Sequence, residues 1–488
     1  MKKSGLSQFD PAMNTPVPKR WDLLSALPIL AGLYWLLAAH GGKWLLLGIV
    51  PGSLMFMSGL ALLLMPGDRR ITQYMAAGGF LGALLLPLVW IFGSFGDALA
   101  GGLLAVAAFL VAGRSAIDRD PGSSEAPAIA RSLAMDAKVA LDEAMLAYFV
   151  ASAKIPGGAT AGRLGESVNT VASILQERGW LENPAGMHPE PPPPERVYVQ
   201  QARIYGREYE RISYPSGFKP DPALPGAVEW GAMSDNAQCT AWVLRHPGPP
   251  RPWLLGIHGY RMGEPWLDMT LFSPRWLHER LGVNLFLPVL PLHGPRRAGL
   301  RSGDRFLDGD PLHLLHAETQ ALWDLRRALA WLRAQDENAR IGVLGFSLGG
   351  YNAALLAQHD SGLDFVIAGI PVVDLATALW RHLPPEHLAY YPGVGLGVDL
   401  YRRILTPVSP LALPPKVAVD RRYIFAGVGD RLAVPDQALL LAKHWEVPVQ
   451  WYQGAHLTFR GEPVVKAHVE AAMHRAGWPI SPELAPAG

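Results

Sequence analysis

One serine of this chain lies in a pattern that can make it a nucleophile. Residues 345–349 read Gly-Phe-Ser-Leu-Gly, and this G-x-S-x-G spacing occurs once in the 488 residues. An apolar run at 341–344 leads into it and helix-forming residues follow it, which predicts a strand, a sharp turn and a helix. Gly345 and Gly349 remove side chains that would collide in such a turn. We therefore expect the Ser347 hydroxyl to project above a sheet at a helix N-terminus, placed to attack a carbonyl carbon.

A serine nucleophile needs a base to take its proton and a carboxylate to orient that base, and both follow later in the chain. Asp430 comes shortly after a strand predicted at residues 423–427, and His456 follows a strand predicted at 449–452. The order Ser, Asp, His along the chain is typical of the architecture that carries the G-x-S-x-G pattern. The sequence therefore predicts a catalytic triad of Ser347, Asp430 and His456.

Other residues of the same types compete for these roles. Asp374, which follows an earlier predicted strand, is the alternative acid. Three further histidines lie on predicted helices, where surface positions are expected: His444, His468 and His474. His313 and His316 with Glu318 could suggest a metal site, but no third ligand at a recognised spacing is present, so a metal is not the favoured interpretation. We expect no metal and no other cofactor.

Acyl transfer also requires N–H groups that bind the developing oxyanion. The backbone N–H of Leu348, directly after the serine, is expected to supply one of them. The turn after an early strand, at residues 256–260, is placed to supply the second through the backbone N–H of Tyr260. His258 and Gly259 belong to this turn and are expected to support its shape, since His456 already provides the base.

Two arginines follow the end of another predicted strand, near the expected site. Arg296 and Arg297 follow the strand predicted at residues 284–290, and they are candidates for contacts with a phosphate or carboxylate group on a substrate. A solvated loop is the alternative interpretation of these cations, because charged runs of this kind usually face water.

These residues lie at the ends of short apolar strands that alternate with helical stretches, which favours a mainly parallel sheet covered by helices on both faces. The predicted strands are residues 240–244, 253–257, 284–290, 341–345, 365–370, 423–427 and 449–452. An insertion at about residues 371–415, with several aromatic residues, interrupts the alternation and is expected to form a cap. The fold class is therefore α/β.

The N-terminal part of the chain has a different composition. The whole chain is 50% hydrophobic and 17% charged, which is more apolar than a soluble enzyme. Only six charged residues occur within 21–113, and four apolar runs fit membrane-spanning helices, at 22–39, 44–65, 74–92 and 98–113, the last being the shortest. No ionisable residue lies in the middle of a span, which favours an anchor over an ion pathway.

Charge and cysteine content exclude several classes of protein. The 43 Lys and Arg residues balance the 42 Asp and Glu residues, so the net charge of +1 provides no electrostatic attraction for nucleic acid. A single cysteine, Cys239, cannot form an internal disulfide or a thiolate metal site. The expected partners are membrane lipid and a small-molecule or lipid acyl-ester substrate.

From about residue 207 to 478 the sequence resembles the α/β-hydrolase superfamily of esterases, lipases and acylhydrolases. The resemblance rests on the segment 345–349, the turn His258-Gly259-Tyr260, Asp430 with Arg431 and Pro435 behind it, and the late Gly454-Ala-His456. With the apolar N-terminal region, it predicts a membrane-anchored serine hydrolase that cleaves carboxylic ester or thioester bonds of apolar or lipid-like substrates through an acyl-enzyme. The alternatives are a peptidase or amidase of the same fold, and a non-catalytic membrane interaction protein that retains it.

Four regions follow from these patterns. They are a cytoplasmic N-terminal tail at 1–20, a four-helix transmembrane region at 21–113, a helical connector with a proline-rich linker at 114–194, and an α/β-hydrolase domain at 195–488. Basic residues before the first span, at 69–70 and after the fourth span indicate which flanks are cytoplasmic. We therefore expect an integral protein of a bacterial inner membrane, with the hydrolase domain on the cytoplasmic side.

Overall fold

A computed structural model of the chain describes residues 23–37, 42–64, 68–120 and 122–480, so the predicted tail at 1–20 lies outside the described residues. The α-helices are α1 Ala26–Leu37, α2 Gly42–Leu64, α3 Arg70–Phe92, α4 Phe95–Arg119, α5 Leu133–Ser152, α6 Gly158–Glu177, α7 Ala227–Gly231, α8 Pro265–Leu271, α9 Pro311–Gln335, α10 Leu348–Ala357, α11 Leu375–His382, α12 Pro385–Tyr390, α13 Val398–Ile404, α14 Pro435–Trp445 and α15 Pro463–Arg475. The strands are β1 Tyr198–Ile204, β2 Arg207–Pro215, β3 Gln238–Leu244, β4 Trp253–Ile257, β5 Asn284–Pro288, β6 Ile341–Phe346, β7 Phe365–Gly369, β8 Arg422–Gly427 and β9 Val449–Tyr452.

The chain forms two compact units by its internal contacts. The helical unit consists of Met1–Ser152 together with two short segments from the C-terminal half, Gly427–Asp436 and Trp451–Glu462. The sheet unit consists of Ala153–Ala426, Gln437–Gln450 and Pro463–Gly488. The segments that carry Asp430 and His456 therefore make most of their contacts within the helical unit.

Three helices of the helical unit are long and apolar enough to cross a membrane, at Leu46–Leu64, Arg70–Phe92 and Phe95–Arg119. The first predicted span corresponds to a shorter apolar helix, Leu23–Leu37. The fourth predicted span was expected to be the shortest, but α4 is the longest of these helices, with 25 residues. The helix extends beyond both ends of the predicted span. It begins at Phe95, where the Ser94 side chain caps it by accepting the Asp97 N–H at 3.0 Å, and it continues past residue 113 to Arg119.

Small residues allow these helices to pack closely. A Cβ atom at Gly79 of α3 would lie 2.7 Å from the carbonyl oxygen of Ala105 on α4, so only glycine permits this approach. Trp35 of α1 is fully buried, and its Nε1–H donates to the Gly101 oxygen of α4 at 3.0 Å. Outward-facing Leu84 and Leu103 stay 63% and 65% exposed. Such exposed apolar side chains suit a hydrocarbon surrounding and are unfavourable in water.

The strands form one nine-stranded sheet in the order β1-β2-β3-β5-β4-β6-β7-β8-β9. The pairs β1/β2, β2/β3 and β3/β5 are antiparallel, and the pairs from β5 through β4, β6 and β7 to β8 are parallel. Strands β4 to β7 are buried along their whole length, which is typical of parallel strands covered on both faces. The predicted class, an α/β-hydrolase fold preceded by an all-helical apolar region, is confirmed.

All seven predicted strands occur in the sheet, but the sequence analysis missed the hairpin β1/β2. Its turn is Tyr205-Gly206, and both residues have positive φ, 49° and 76°, as in a two-residue turn between paired strands. The hairpin is polar and mostly exposed on β1, so it lacks the apolar pattern by which the other strands were identified.

The predicted cap at 371–415 is a helical insertion in the sheet unit that contains α11, α12 and α13. The hydroxyls of Tyr390 and Tyr391 donate to the Pro156 oxygen at 3.1 and 2.8 Å, and Gly165 of α6 lies against the Val394 backbone. Helix α6 thus packs on the insertion, whereas α5 belongs to the helical unit.

Candidate active site

Ser347 occupies the sharp turn between β6 and α10, as the G-x-S-x-G pattern predicts. Its backbone has φ 58° and ψ −115°, a conformation that a residue with a side chain rarely adopts outside functional turns. The Ser347 N–H donates to the Gly369 oxygen of β7 at 2.9 Å, and its carbonyl accepts the Tyr351 N–H at 3.0 Å. These bonds hold the strained turn, which we call the elbow (residues 345–349), between the sheet and the first turn of the helix.

The two glycines of the elbow are required by its close packing. A Cβ atom at Gly345 would collide with the Gly349 carbonyl, and one at Gly349 would collide with the Ile257 carbonyl at the end of β4. Both obstacles are backbone atoms, which cannot rotate away as a side chain can. The sequence pattern therefore reflects a steric requirement of the turn.

The predicted oxyanion turn (residues 258–260) lies directly against the elbow. A Cβ atom at Gly259 would be 3.4 Å from the Phe346 oxygen and 3.6 Å from the Ser347 Cβ. Leu348 is the first residue of α10, where a backbone N–H has no acceptor within its own helix. Tyr260 follows β4 in the turn, with its ring packed edge-on against His293 at 6.0 Å.

His258 connects this turn to the next strand. It is buried, its Nε2 accepts the Leu290 N–H at 3.1 Å, and its Nδ1 is 2.8 Å from the Gly259 oxygen, to which it donates in that tautomer. Both ring nitrogens are therefore engaged with backbone groups, which fixes the turn and leaves neither free to act as a base.

Asp430 and His456 are brought together within the helical unit. The His456 Nδ1 is 2.7 Å from the Asp430 Oδ2, and the two residues are 4% and 1% exposed. The other carboxylate oxygen, Asp430 Oδ1, accepts the N–H groups of Leu432 at 3.0 Å and Ala433 at 2.7 Å. A carboxylate at Nδ1 places the proton there and leaves Nε2 as the acceptor, which is the tautomer that a general base requires.

The electrostatic surroundings of His456 favour its protonated form. Burial lowers the pKa of His456, but the charge of Asp430, the hydrogen bond to it and the charge of Asp142 outweigh burial, so the pKa lies above the ordinary value. An imidazolium formed during a reaction would be stabilised by the same groups.

Asp142 is the residue that the sequence analysis missed. It lies on α5, has no exposed surface, and its carboxylate accepts three backbone N–H groups. Oδ2 accepts from Arg431 at 3.0 Å and from His456 at 2.7 Å, and Oδ1 accepts from Leu457 at 3.1 Å. A signal was present, because an acid at position 142 falls on the apolar face of a helix whose core positions include Val139 and Leu146.

The carboxyl group of Asp142 is costly to ionise at this place. Burial raises its pKa to about 7, and the nearby charge of Asp430 acts in the same direction, whereas His456 and the N–H groups of Arg431 and His456 lower it. The three N–H donors nevertheless hold the backbone of the two loops that carry Asp430 and His456 firmly to Asp142, since a hydrogen bond to a charged group contributes about 1.5–3 kcal/mol.

The arginines predicted to meet a substrate anion have different surroundings. The Arg296 guanidinium is buried, where it donates to the Asp324 carboxylate at 2.6 Å and to the backbone oxygens of Val289 and Asn236. These bonds hold the guanidinium in the interior of the sheet unit. Arg297 is exposed and donates to the Gly294 oxygen at 3.2 Å.

The alternative acid has a structural role. Asp374 caps α11 by accepting the Thr377 N–H at 3.0 Å, and it pairs with Arg402 at 3.1 Å. His444 lies on α14, and His468 and His474 lie on α15. Among the described residues, no group of three or more His, Cys, Asp or Glu side chains is arranged to hold a metal ion.

The structure thus joins the predicted acid and base in the helical unit, and it places the predicted nucleophile beside the predicted oxyanion turn in the sheet unit. The complete triad remains a prediction. No known protein-family model matches the chain.

Two solved structures share part of the fold at low similarity. Acetyl xylan esterase from Paenibacillus sp. R4 is 16% identical with a TM-score of 0.41, over 63% of this chain and 93% of that chain. Acylaminoacyl peptidase from Pyrococcus horikoshii is 14% identical with a TM-score of 0.34, over 59% of this chain and 42% of that chain.

Sequence relatives are much closer. "Uncharacterized protein MT2702" of Mycobacterium tuberculosis (strain CDC 1551 / Oshkosh) is 38% identical over 348 residues, which cover 71% of this chain and 83% of the relative. "Uncharacterized protein Rv2627c" of strain ATCC 25618 / H37Rv matches to the same extent. At this identity and coverage, the chain belongs to the family of these Mycobacterium tuberculosis proteins.

Proposed function

We propose that this protein is a membrane-anchored serine hydrolase that cleaves carboxylic ester or thioester bonds of apolar or lipid-like substrates. The observation that carries the proposal is the buried pair of Asp430 and His456, joined at 2.7 Å through Nδ1. The strained elbow that presents Ser347 supports it, because such a conformation at a side-chain-bearing residue is retained mainly for function.

The proposed reaction uses Ser347, His456 and Asp430 in their usual chemical roles. The Ser347 Oγ attacks the carbonyl carbon while Nε2 of His456 takes the hydroxyl proton, and Asp430 stabilises the imidazolium. The N–H groups of Tyr260 and Leu348 bind the oxyanion of the tetrahedral intermediate. His456 then gives its proton to the leaving alcohol or thiol as the C–O or C–S bond breaks. Water, deprotonated by His456, releases the acid from Ser347.

Support for an apolar substrate comes from the helical unit. Three of its helices suit hydrocarbon, so substrates dissolved in the membrane would be concentrated near the protein. The aromatic residues of the insertion give less support, because Trp380, Tyr391 and Tyr401 pack on one another and are buried as its own core. The substrate class therefore rests on the anchor.

A reactive alkyl fluorophosphonate tests the proposal on detergent-solubilised protein. We expect covalent labelling of the wild type and of the exposed control Ser361→Ala, and no labelling of Ser347→Ala, because only an activated serine reacts at a useful rate. In a panel of acyl esters and thioesters, we expect faster turnover of long-chain than of short water-soluble substrates.

Each other result has a defined meaning. No labelling of the wild type at any pH would contradict catalysis and favour a non-catalytic interaction protein. Strong amide turnover without ester hydrolysis would indicate a peptidase or amidase. Preference for short soluble esters would contradict the apolar-substrate proposal while leaving the serine mechanism intact.

A further inference from the structure

Helix α5 carries buried acids on two faces, and each face contacts a different part of the helical unit. On one face, Asp136 pairs with Arg114 of α4 at 2.9 Å, and Glu143 accepts the hydroxyl of Thr72 on α3 at 2.8 Å. These contacts fix α5 against the apolar helices. The other face carries Asp142.

The Asp142 face contacts both loops that hold the predicted acid and base. One carboxylate accepts the Arg431 N–H from the acid loop (residues 429–433) and the His456 and Leu457 N–H groups from the histidine loop (residues 454–457). The same loops are otherwise joined by the bond from the Gly429 N–H to the Gly454 oxygen, at 2.9 Å, and by the contact of His456 with Asp430 itself, at 2.7 Å. Asp142 thus adds a connection between them that a different element, α5, supplies.

Apolar packing places the same loops on α5. Val428, which precedes the acid loop, and Ala455 of the histidine loop share a buried cluster with Met135 and Val139 of α5 and with two residues of α4, Ala116 and Ile117. Lys138, one turn before Asp142, adds a further connection by donating to the Gln453 oxygen at 2.8 Å and pairing with Glu462. The loops are therefore held along the length of the helix.

We propose that Asp142 is a positioning residue for the catalytic acid and base, through which α5 sets the placement of His456 relative to Asp430. The inference rests on the proposed hydrolase function. Asp142 acts on the reaction in two ways: it fixes the backbone of His456 directly, and its charge adds to that of Asp430 in favouring the imidazolium. It contacts no substrate atom in this role.

The test compares variants of the full-length protein in detergent. Asp142→Asn keeps the shape of the side chain but loses its charge and one acceptor oxygen. We expect kcat to fall about 100-fold with little change in KM, as for other small misplacements of catalytic groups. The acidic limb of the kcat/KM profile should also shift to lower pH, because one of the two carboxylates that raise the His456 pKa is removed.

Two matched variants separate positioning from general stability. Asp142→Glu retains the charge and both oxygens, so its acidic limb should return toward that of the wild type even if kcat recovers only in part. Asp136→Asn alters a buried acid of the same helix that faces α4, and it should lower the melting temperature without moving the acidic limb. An Asp142→Asn enzyme with wild-type kcat and pH profile would overturn the proposal.

A measurement on the wild type covers the case in which Asp142→Asn fails to fold. Hydrogen exchange should show the amides of Arg431, His456 and Leu457 protected to the same degree as those in the core of α5. Exchange at the rate of an open loop would overturn the proposal. The exchange result does not depend on activity. A wild type that hydrolyses no substrate would refute the proposed function, while the exchange rates would still show whether Asp142 holds the two loops.

Discussion

At the scale of single residues, contacts decide which of several similar side chains can serve catalysis. Asp430 and Asp374 both follow strands of the sheet, yet Asp430 bonds to His456 while Asp374 caps a helix and pairs with Arg402. His258 and His456 both lie in turns near strand ends, but both nitrogens of His258 are engaged with backbone groups. Chain order already favoured Asp430 over Asp374 and His456 over His258, and the contacts supply the physical difference within each pair.

The raised pKa of His456 gives a prediction about pH. The base must be neutral to accept the serine proton, so activity is lost as pH falls through the pKa of His456, which lies above its ordinary value of about 6.5. Asp430→Asn removes the largest favourable contribution, so the acidic limb should move to lower pH. We also expect kcat to fall roughly 10⁴-fold, because the asparagine stabilises the wrong tautomer.

Asp374→Asn is the matched control for this experiment. It alters the other candidate acid, and it should leave the acidic limb where it is in the wild type. Initial rates of ester hydrolysis between pH 5 and 9 provide the comparison. Equal profiles for Asp430→Asn and the wild type would remove Asp430 from the mechanism.

The predictable part of the site is the part that depends on local sequence. Ser347 was identified because its neighbours within two positions determine the turn. Asp142 was not, since its three partners lie 289, 314 and 315 positions away along the chain. The buried surroundings of Arg296 were not predictable for the same reason, because its partners Asn236 and Asp324 are distant in sequence.

At the scale of elements, apolar strands were predictable and polar ones were not. Strands β4 to β7 are continuous apolar runs because both of their faces are buried. The hairpin of β1 and β2 lies at the edge of the sheet and consists largely of polar residues, so its only clear signal was the Tyr205-Gly206 turn. The elbow was predictable because backbone sterics there dictate glycine.

The elbow yields a prediction about stability. Gly345→Ala places a Cβ atom against the Gly349 carbonyl, and we expect a loss of about 3 kcal/mol in the free energy of unfolding, with fluorophosphonate labelling abolished as the turn shifts. Gly231→Ala is the control, because a Cβ atom there meets no neighbour within 4 Å. Thermal unfolding and labelling are measured together. An alanine at 345 tolerated as well as one at 231 would contradict the steric account.

At the scale of the whole molecule, the apolar helices belong to the same compact unit as two of the proposed catalytic residues. The segments that carry Asp430 and His456 are assigned by their contacts to the helical unit, which also contains the helices that suit a membrane. Helix α5 connects the two within that unit, through Arg114 and Thr72 on one side and through the catalytic loops on the other. The unit thus combines helices that are long and apolar enough to cross a membrane with two proposed catalytic groups.

The orientation of the helices in the membrane is the remaining prediction at this scale. Arg69 and Arg70 lie at the start of α3, and Arg114 and Arg119 lie in the last two turns of α4, whereas the connection at residues 93–94 has no basic residue. We predict that α3 and α4 form a pair of crossings, which would put both basic flanks on one side of the membrane, and the basic residues favour the cytoplasmic side. This assignment is independent of whether the short helix Leu23–Leu37 also crosses.

Cysteine labelling in intact cells checks this orientation. Cys239 is buried, and burial raises the pKa of its thiol, so the native protein should react slowly with a membrane-impermeant maleimide. Ser361→Cys, at an exposed position of the sheet unit, should be labelled only after the membrane is opened. Gly96→Cys, exposed at the start of α4, should be labelled from outside without opening it. The reverse pattern would place the hydrolase domain outside the cytoplasm and its substrates with it.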